Sequence, residues 1–332
     1  MRWRCARGRR RGQPSRLLRP RTMVPGMYEG SRNPKLQIRL ALAIIYLVWG
    51  SAYLATKVMV TDEPPLLAGG LRFTLAGLLL GAFAWWRGGP PRCSRLELRH
   101  IGIVALLAIV VSNGCNVLAM QHVQSNMAAM LNSTPALWIA WFGTFGRHGS
   151  PLSGPARIGL LVGLAGVVLV LAPAGDLHTT ALRWQLLILV GCVGWSLGTI
   201  YYRHAKAVND PLMFTALQML TGGAALLLLA AASGEPFVLQ WTPRAIAAFL
   251  WLTLMSSCVA YSAYAFLALH TRPVIVGSFG FVNPAVAALF GWLLLGETLS
   301  WTQAAGMLVI LAGMALVTGY WRPLPPLHPG SR

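Results

Sequence analysis

From Ile38 to Trp321 apolar stretches follow one another almost without pause, broken only by short polar, proline-bearing or glycine-bearing connections. A hydrocarbon core of roughly 30 Å takes about 20 apolar residues wound as a helix. The pattern predicts ten such segments, at 39–58, 68–86, 101–120, 126–144, 156–172, 184–202, 213–232, 244–267, 274–295 and 303–320. None shows the strict alternation of a membrane β-barrel, and a helix satisfies its own backbone hydrogen bonds in lipid. The expected architecture is an all-α polytopic membrane protein of ten transmembrane helices. Short connections such as Gln121 to Ser125 predict antiparallel neighbours.

Composition sharpens this picture. Of 332 residues 56% are hydrophobic and 11% charged, with a mean hydropathy of +0.60, whereas soluble domains carry about 25% charged residues. The net charge of +19 would suit a nucleic-acid binder, but its placement points to a membrane and to no nucleic-acid partner. With the N-terminus inside, 23 Lys and Arg fall on the inner side, 12 of them before or at the start of the first segment. Without those 12, the inner side still holds 11 against 3 outside, Lys57, Arg183 and Arg244, while Arg72 lies within the second segment. Lys and Arg concentrate on cytoplasmic loops, so both termini are expected in the cytoplasm.

Residues 1–38 form a basic tail with one acid, Glu29, expected to be disordered. No apolar core and small-residue cleavage site follow its charges, so it is no secretory signal. An organelle transit peptide, an arm for anionic lipid and an over-long start before Met23 or Met27 stay open. The cysteines, Cys5, Cys93, Cys115, Cys192 and Cys258, include no C-x-x-C pair, and no cofactor or metal is implied.

The chain repeats itself. Gly149–Gly166 aligns with Gly296–Gly313 at an offset of 147; Ala119 and Pro135 meet Ala268 and Pro284 at 149, and Trp49 meets Trp195 at 146. Two copies are expected, residues 39–173 and 174–320, followed by a cytoplasmic tail at 321–332. Each holds five segments, and an odd number reverses the second copy in the membrane. Inverted repeats place a substrate site near the midplane, where rocking of the halves exposes it to either side.

The chain resembles the drug/metabolite transporter superfamily, and within it the EamA-domain members with two tandem five-helix repeats. The resemblance runs from Leu40 to about Tyr320. It rests on Trp49–Ser51 followed by Lys57, on Leu71–Phe73, Ala268–Pro273, Val282–Pro284, and on Gly296–Thr298 leading to Gly306 and Gly313. Ser150 departs from it, standing where the family pattern has an acid corresponding to Glu297. The resemblance implies a secondary carrier of the bacterial inner membrane, monomer or homodimer, moving small metabolites, amino acids or drug-like compounds outward.

Candidate site residues follow from depth. Pro135 and Pro284 should bend the fourth and ninth segments, because each removes a backbone donor and crowds the carbonyl four residues back. Freed carbonyls at matching positions can face a cavity, or Ser133 and Thr134 can re-satisfy them. Asn132 and Asn283 beside those prolines, and Asn113 and Asn116, must find partners, either in a cavity lining or across helices. Trp49, Ser51, Tyr53, Trp138, Trp195, Tyr261 and Tyr264 complete the candidate lining, with plain packing or an interfacial belt as the alternative. Arg72 is expected either to snorkel, to pair with Glu297, Asp62 or Glu63 as a gate, or to attract an anionic substrate group. The acids fall in loops or at helix ends, which argues for exchange or facilitated diffusion over tight proton coupling. Gly194–Gly198 fits G-x-S-x-G, but Ser196 lies inside a segment, away from any histidine, so a serine hydrolase is the weaker reading. A non-transporting receptor or structural protein is a further alternative, though it has no need of inverted halves.

Overall fold

The computed structural model describes residues 34–89, 93–145, 151–171, 179–204, 210–271 and 273–319. Expectations for the basic tail up to residue 33, for Ser150 and for 321–332 fall outside these residues. Among the described residues every regular element is helical.

The first half runs α1 (Pro34–Asp62), α2 (Pro65–Gly88), α3 (Arg95–Ala105), a π-helical stretch at Leu106–Val111, α4 (Ser112–Met120), α5 (Ser125–Leu131), α6 (Pro135–Phe142) and α7 (Gly154–Leu171). The second runs α8 (Thr179–His204), α9 (Pro211–Ala232), α10 (Pro243–Leu250), a π-helical stretch at Trp251–Ala260, α11 (Tyr261–His270), α12 (Pro273–Val276), α13 (Phe279–Leu295) and α14 (Trp301–Thr318). Among the described residues eight helices are long and apolar enough to cross a membrane, counting α3–α4 and α10–α11 as continuous through their π-helical turns. The fourth and ninth segments are divided, with α13 as a shorter apolar helix.

Helix boundaries follow from local chemistry. Proline opens α2, α6, α9 and α10 at a position where its missing N–H costs nothing. Ser94 with Glu97, and Ser300 with Gln303, form reciprocal capping boxes at the starts of α3 and α14. Asp210 accepts from Leu212 N and Met213 N to open α9. Gly296 ends α13 in the left-handed conformation at φ 64°, where a Cβ would be strained.

Solvation runs opposite to that of a soluble protein. Leu161, Val168, Leu228, Trp292 and Leu308 lie exposed on the outside, a surface suited to hydrocarbon. Trp86 and Trp301, 82% and 92% exposed at helix ends, fit interfacial anchors.

The two halves are related by their close contacts. A Cβ placed on Gly77 would stand 2.9 Å from Ala216 O and 2.8 Å from Leu220 N. One placed on Gly223, 146 residues after Gly77, would stand 2.9 Å from Gly70 O and 2.6 Å from Thr74 N. Gly70 and Thr74 lie the same 146 residues before Ala216 and Leu220. Exchanging the halves therefore maps this contact onto itself, and residue numbers that rise along α2 fall along α9. The α7–α14 pair behaves alike at an offset of 147: a Cβ on Gly159 would meet Gly313 O at 2.7 Å, and one on Gly166 would meet Gly306 O at 2.9 Å. Corresponding helices thus pack antiparallel, the geometry of an inverted repeat. Missing side chains let these backbones approach, the small-residue packing used in membranes.

The two prolines do not act alike. Pro135 follows a break at Asn132–Thr134 and opens α6. Pro284 lies inside an uninterrupted α13, and the ninth segment breaks instead at Gly277–Ser278. The expectation of matching breaks at the two prolines is corrected accordingly: the chain breaks before Pro135 and stays within one helix at Pro284. Beside Pro284 the side-chain amide of Asn283 donates to Phe279 O at 3.2 Å and to Tyr46 O on α1 at 3.3 Å in the orientation that satisfies both, which ties α13 to α1. Around Pro135 the loosened carbonyls are taken by neighbours: Ser133 Oγ donates to Met130 O, Thr134 Oγ1 to Leu131 O, and Ser196 Oγ to Pro135 O. They are re-satisfied by side chains, as the packing alternative had it.

Candidate functional site

Both halves contribute to one cavity with about 140 Å³ open to water. On α1, Trp49, Ala52, Tyr53 and Thr56 line it at the three- and four-residue spacing of one helical face. Across from them α4 presents Ser112, Asn113, Asn116, Val117 and Met120. Asn132 and Pro135 enter from the break in the fourth segment, Trp195 from α8, and Phe279 and Asn283 from α13. Arg72 reaches in from α2 beside Ser256 and Tyr261.

The lining separates into an aromatic wall and an amide wall. Trp49 packs on Tyr261 and Phe279 with ring centroids 5.4 and 5.1 Å apart, both edge-on, and Trp195 lies 6.5 Å from Tyr261. Edge-on aromatic pairs are favourable beyond the area they bury. Trp49 Nε1 donates to Ser256 O at 3.3 Å, so its indole is fixed by the second half. On the other wall Asn132 Nδ2 donates to Asn116 Oδ1 at 2.6 Å, and Asn116 Nδ2 to Ser112 O at 2.8 Å. Asn113 Nδ2 donates to Ala108 O, five residues back, inside the π-helical stretch.

Both π-helical stretches abut the cavity, one in each half. Such turns are rare and concentrate where a helix must re-aim its groups. The second carries Ser256 and Ser257, whose hydroxyls meet the Arg72 guanidinium at 3.4 Å (Nη2) and 3.2 Å (Nε). Arg72 is 5% exposed, with its Cζ 4.6 Å from the Phe73 ring centroid.

Not every candidate lines the cavity. Ser51 accepts from Trp251 Nε1 and donates to Val48 O. Trp138 donates to Thr134 Oγ1 at 3.1 Å and stacks with Phe142. Tyr264 packs behind Trp49, and Pro284 is buried within α13. Arg72 and Glu297 do not pair. Glu297 instead accepts from Ser125 N at 2.7 Å, Ser125 Oγ at 2.9 Å and Asn126 N at 3.0 Å, capping α5 from the opposite half. Snorkelling does not describe Arg72 either, because its head is buried.

Glu297 is one of four acids that tie the halves together at the end holding the α1–α2 turn. Asp62 meets Arg244 and Thr242. Glu63 accepts from Gln240 N and Trp241 N. Glu235 accepts from Leu66 N and Leu67 N. Lys57 donates to Met120 O and Gln121 O just beyond the cavity, and His122 stacks on Trp184 at 4.2 Å. At the opposite end the described acids, Glu97 and Asp210, each cap their own helix. Ser196, the residue a hydrolase would need, is fully buried and donates to Cys192 O and Pro135 O.

Sequence reasoning missed Ala52, Thr56, Ser112, Val117, Met120, Phe279 and above all Ser256 and Ser257. Serines in an apolar helix are common, and no residue type marks a π-helical turn. Depth singled out Asn116 and Arg72, but not what they touch.

A polar and aromatic cavity between two antiparallel-related helical halves, in a chain whose outside is apolar, defines a membrane transporter. The chain belongs to the EamA-like transporter family, whose sequence profile matches residues 38–172 and 182–319. It is 33% identical over 285 residues to the uncharacterized inner membrane transporter YedA of Escherichia coli K12, covering 84% of this chain and 89% of that protein. It is 28% identical to the uncharacterized transporter YvbV of Bacillus subtilis (86% and 92% covered). To the chloroplastic WAT1-related protein At3g02690 of Arabidopsis thaliana it is 27% identical (88% and 72% covered). A crystal structure at 20% identity superposes with a TM-score of 0.62 over 86% of this chain and 97% of the other, a likeness of fold.

Proposed function

We propose that this protein is a secondary carrier working by alternating access, and that it exports small metabolites, amino acids or drug-like compounds from the cytoplasm. The observation that carries the reading is the cavity built jointly by both halves, which four acids tie together at one end. The working halves are taken as 39–173 and 174–320. With both termini cytoplasmic, as the Lys and Arg distribution argues, the tied end faces outward. In this reading the conformation is closed to the outside, and separating the halves at Asp62, Glu63, Glu235 and Glu297 opens the other access. The inner membrane named for the relative YedA supports that location here.

Purified protein in liposomes loaded with a metabolite mixture tests the proposal, with efflux followed by mass spectrometry of the outside solution. Loss of specific compounds from protein-bearing vesicles alone is the expected result. Equal retention in empty and protein-bearing vesicles, in both orientations, would overturn it.

A further inference from the structure

We infer that the cavity takes a small organic monoanion, whose carboxylate seats on Arg72 while its apolar body lies against the aromatic wall. The inference rests on the reading of this cavity as the transport site.

The guanidinium has five N–H donors and stays charged at any physiological pH. Two neutral serine hydroxyls and the face of Phe73 are its partners among the described residues. Asp62 is paired with Arg244 at the end that the acids tie together. Among the described residues no acid lines the cavity, and Glu63, Glu235 and Glu297 accept backbone N–H groups elsewhere. A cation taken out of water without a counter-charge is costly, and in a membrane such residues face a partner or an aqueous path. Here the partner must arrive through the cavity.

The charge count narrows the ligand further. At the offset of 146 that relates α2 to α9, the position equivalent to Arg72 is Gln218, which cannot be charged. The two-fold therefore supplies one cation, while Lys57, outside the lining, donates to backbone carbonyls and has the Glu297 carboxylate near it as counter-charge. One uncompensated positive charge balances one negative charge, which favours a carboxylate over a doubly charged phosphate. A guanidinium can take both carboxylate oxygens in parallel. The rings of Trp49, Tyr261 and Phe279, packed edge to face, then offer an apolar wall for the rest of the molecule.

Three probes of one size test this: phenylacetate, phenylacetamide and phenethylamine, binding being read from tryptophan fluorescence of the purified protein. Phenylacetate should bind about tenfold or more tighter than phenylacetamide, and phenethylamine weakest, as expected for hydrogen bonds to a charged group. Arg72→Gln should erase the preference for the anion, and Arg72→Lys should keep part of it. Should Arg72→Gln fail to fold, the wild-type comparison decides alone. Amide or amine binding as well as the carboxylate would overturn the inference, as would an undiminished preference in folded Arg72→Gln. A cysteine at Thr56 separates this failure from failure of the cavity reading. If any probe slows its alkylation, the cavity binds solutes and only the anion assignment is at stake. If none does, the reading of the cavity fails with it.

Discussion

At the scale of single residues, Glu297 combines two constraints that the sequence shows only as Gly-Glu-Thr after an apolar run. Gly296 turns the chain left-handed at the end of α13, which brings the next residue back over Gly291. A Cβ on Gly291 would stand 2.5 Å from Glu297 Oε2, so the carboxylate fills the space that glycine leaves. From there it reaches two backbone N–H groups and one hydroxyl of the other half. Glu297→Ala strips a charged acceptor from buried donors, at a cost of about 1–3 kcal/mol to the closed end. Alkylation of a cysteine at Asn116 by a membrane-impermeant reagent from the outer side should then run several-fold faster. An unchanged rate would mean that Glu297 does not hold this end shut. Arg244→Gln should change the rate little, because Arg244 is 69% exposed and its pairing is screened.

At the scale of helices, the sequence marks Gly77 with Gly81, and Gly159 with Gly163, as small-residue pairs, and the structure ranks their members. A Cβ on Gly77 would collide with the backbone of α9, whereas one on Gly81 would sit 3.7 Å from Ala216 Cβ, an ordinary contact. Gly77→Ala should therefore force α2 and α9 apart and cost roughly 1–3 kcal/mol. Gly81→Ala should be close to neutral. Thermal unfolding in detergent distinguishes them, and equal losses would deny the close approach. Most helices were legible from hydropathy alone: the seventh segment, expected at 213–232, is α9 at Pro211–Ala232. The fourth and ninth were legible as apolar and as interrupted at their prolines; the fourth does break before Pro135, but the ninth breaks at Gly277 and Ser278, which look no different from other small residues in the chain. The π-helical turns left no trace either, because no residue type marks them; Arg72 and Trp49 bond to hydroxyls and a carbonyl of the second, and Asn113 bonds to a carbonyl of the first.

At the scale of the whole molecule, the pseudo-two-fold makes a prediction that does not depend on which face is cytoplasmic. Arg87 and Ser233 stand 146 residues apart, at the C-terminal ends of α2 and α9. Antiparallel packing of those helices puts them on opposite faces. In a background without the native cysteines, Arg87→Cys and Ser233→Cys should be labelled by an impermeant thiol reagent from opposite sides of sealed vesicles. Labelling of both from one side would refute the inverted arrangement.

The sequence by itself determined that this chain lives in lipid, that it is built of helices, and that its second half repeats the first in reverse. Hydropathy, the odd number of segments and the recurring motifs are local or one-dimensional properties, and they survive without knowledge of contacts. Tertiary structure decided which polar groups meet. Arg72 and Glu297 lie 225 positions apart and looked like partners by depth, yet one faces Ser256 and Ser257 and the other caps α5. The choice depends on the direction each side chain takes from its helix and on which helix lies across from it, and depth in the membrane specifies neither.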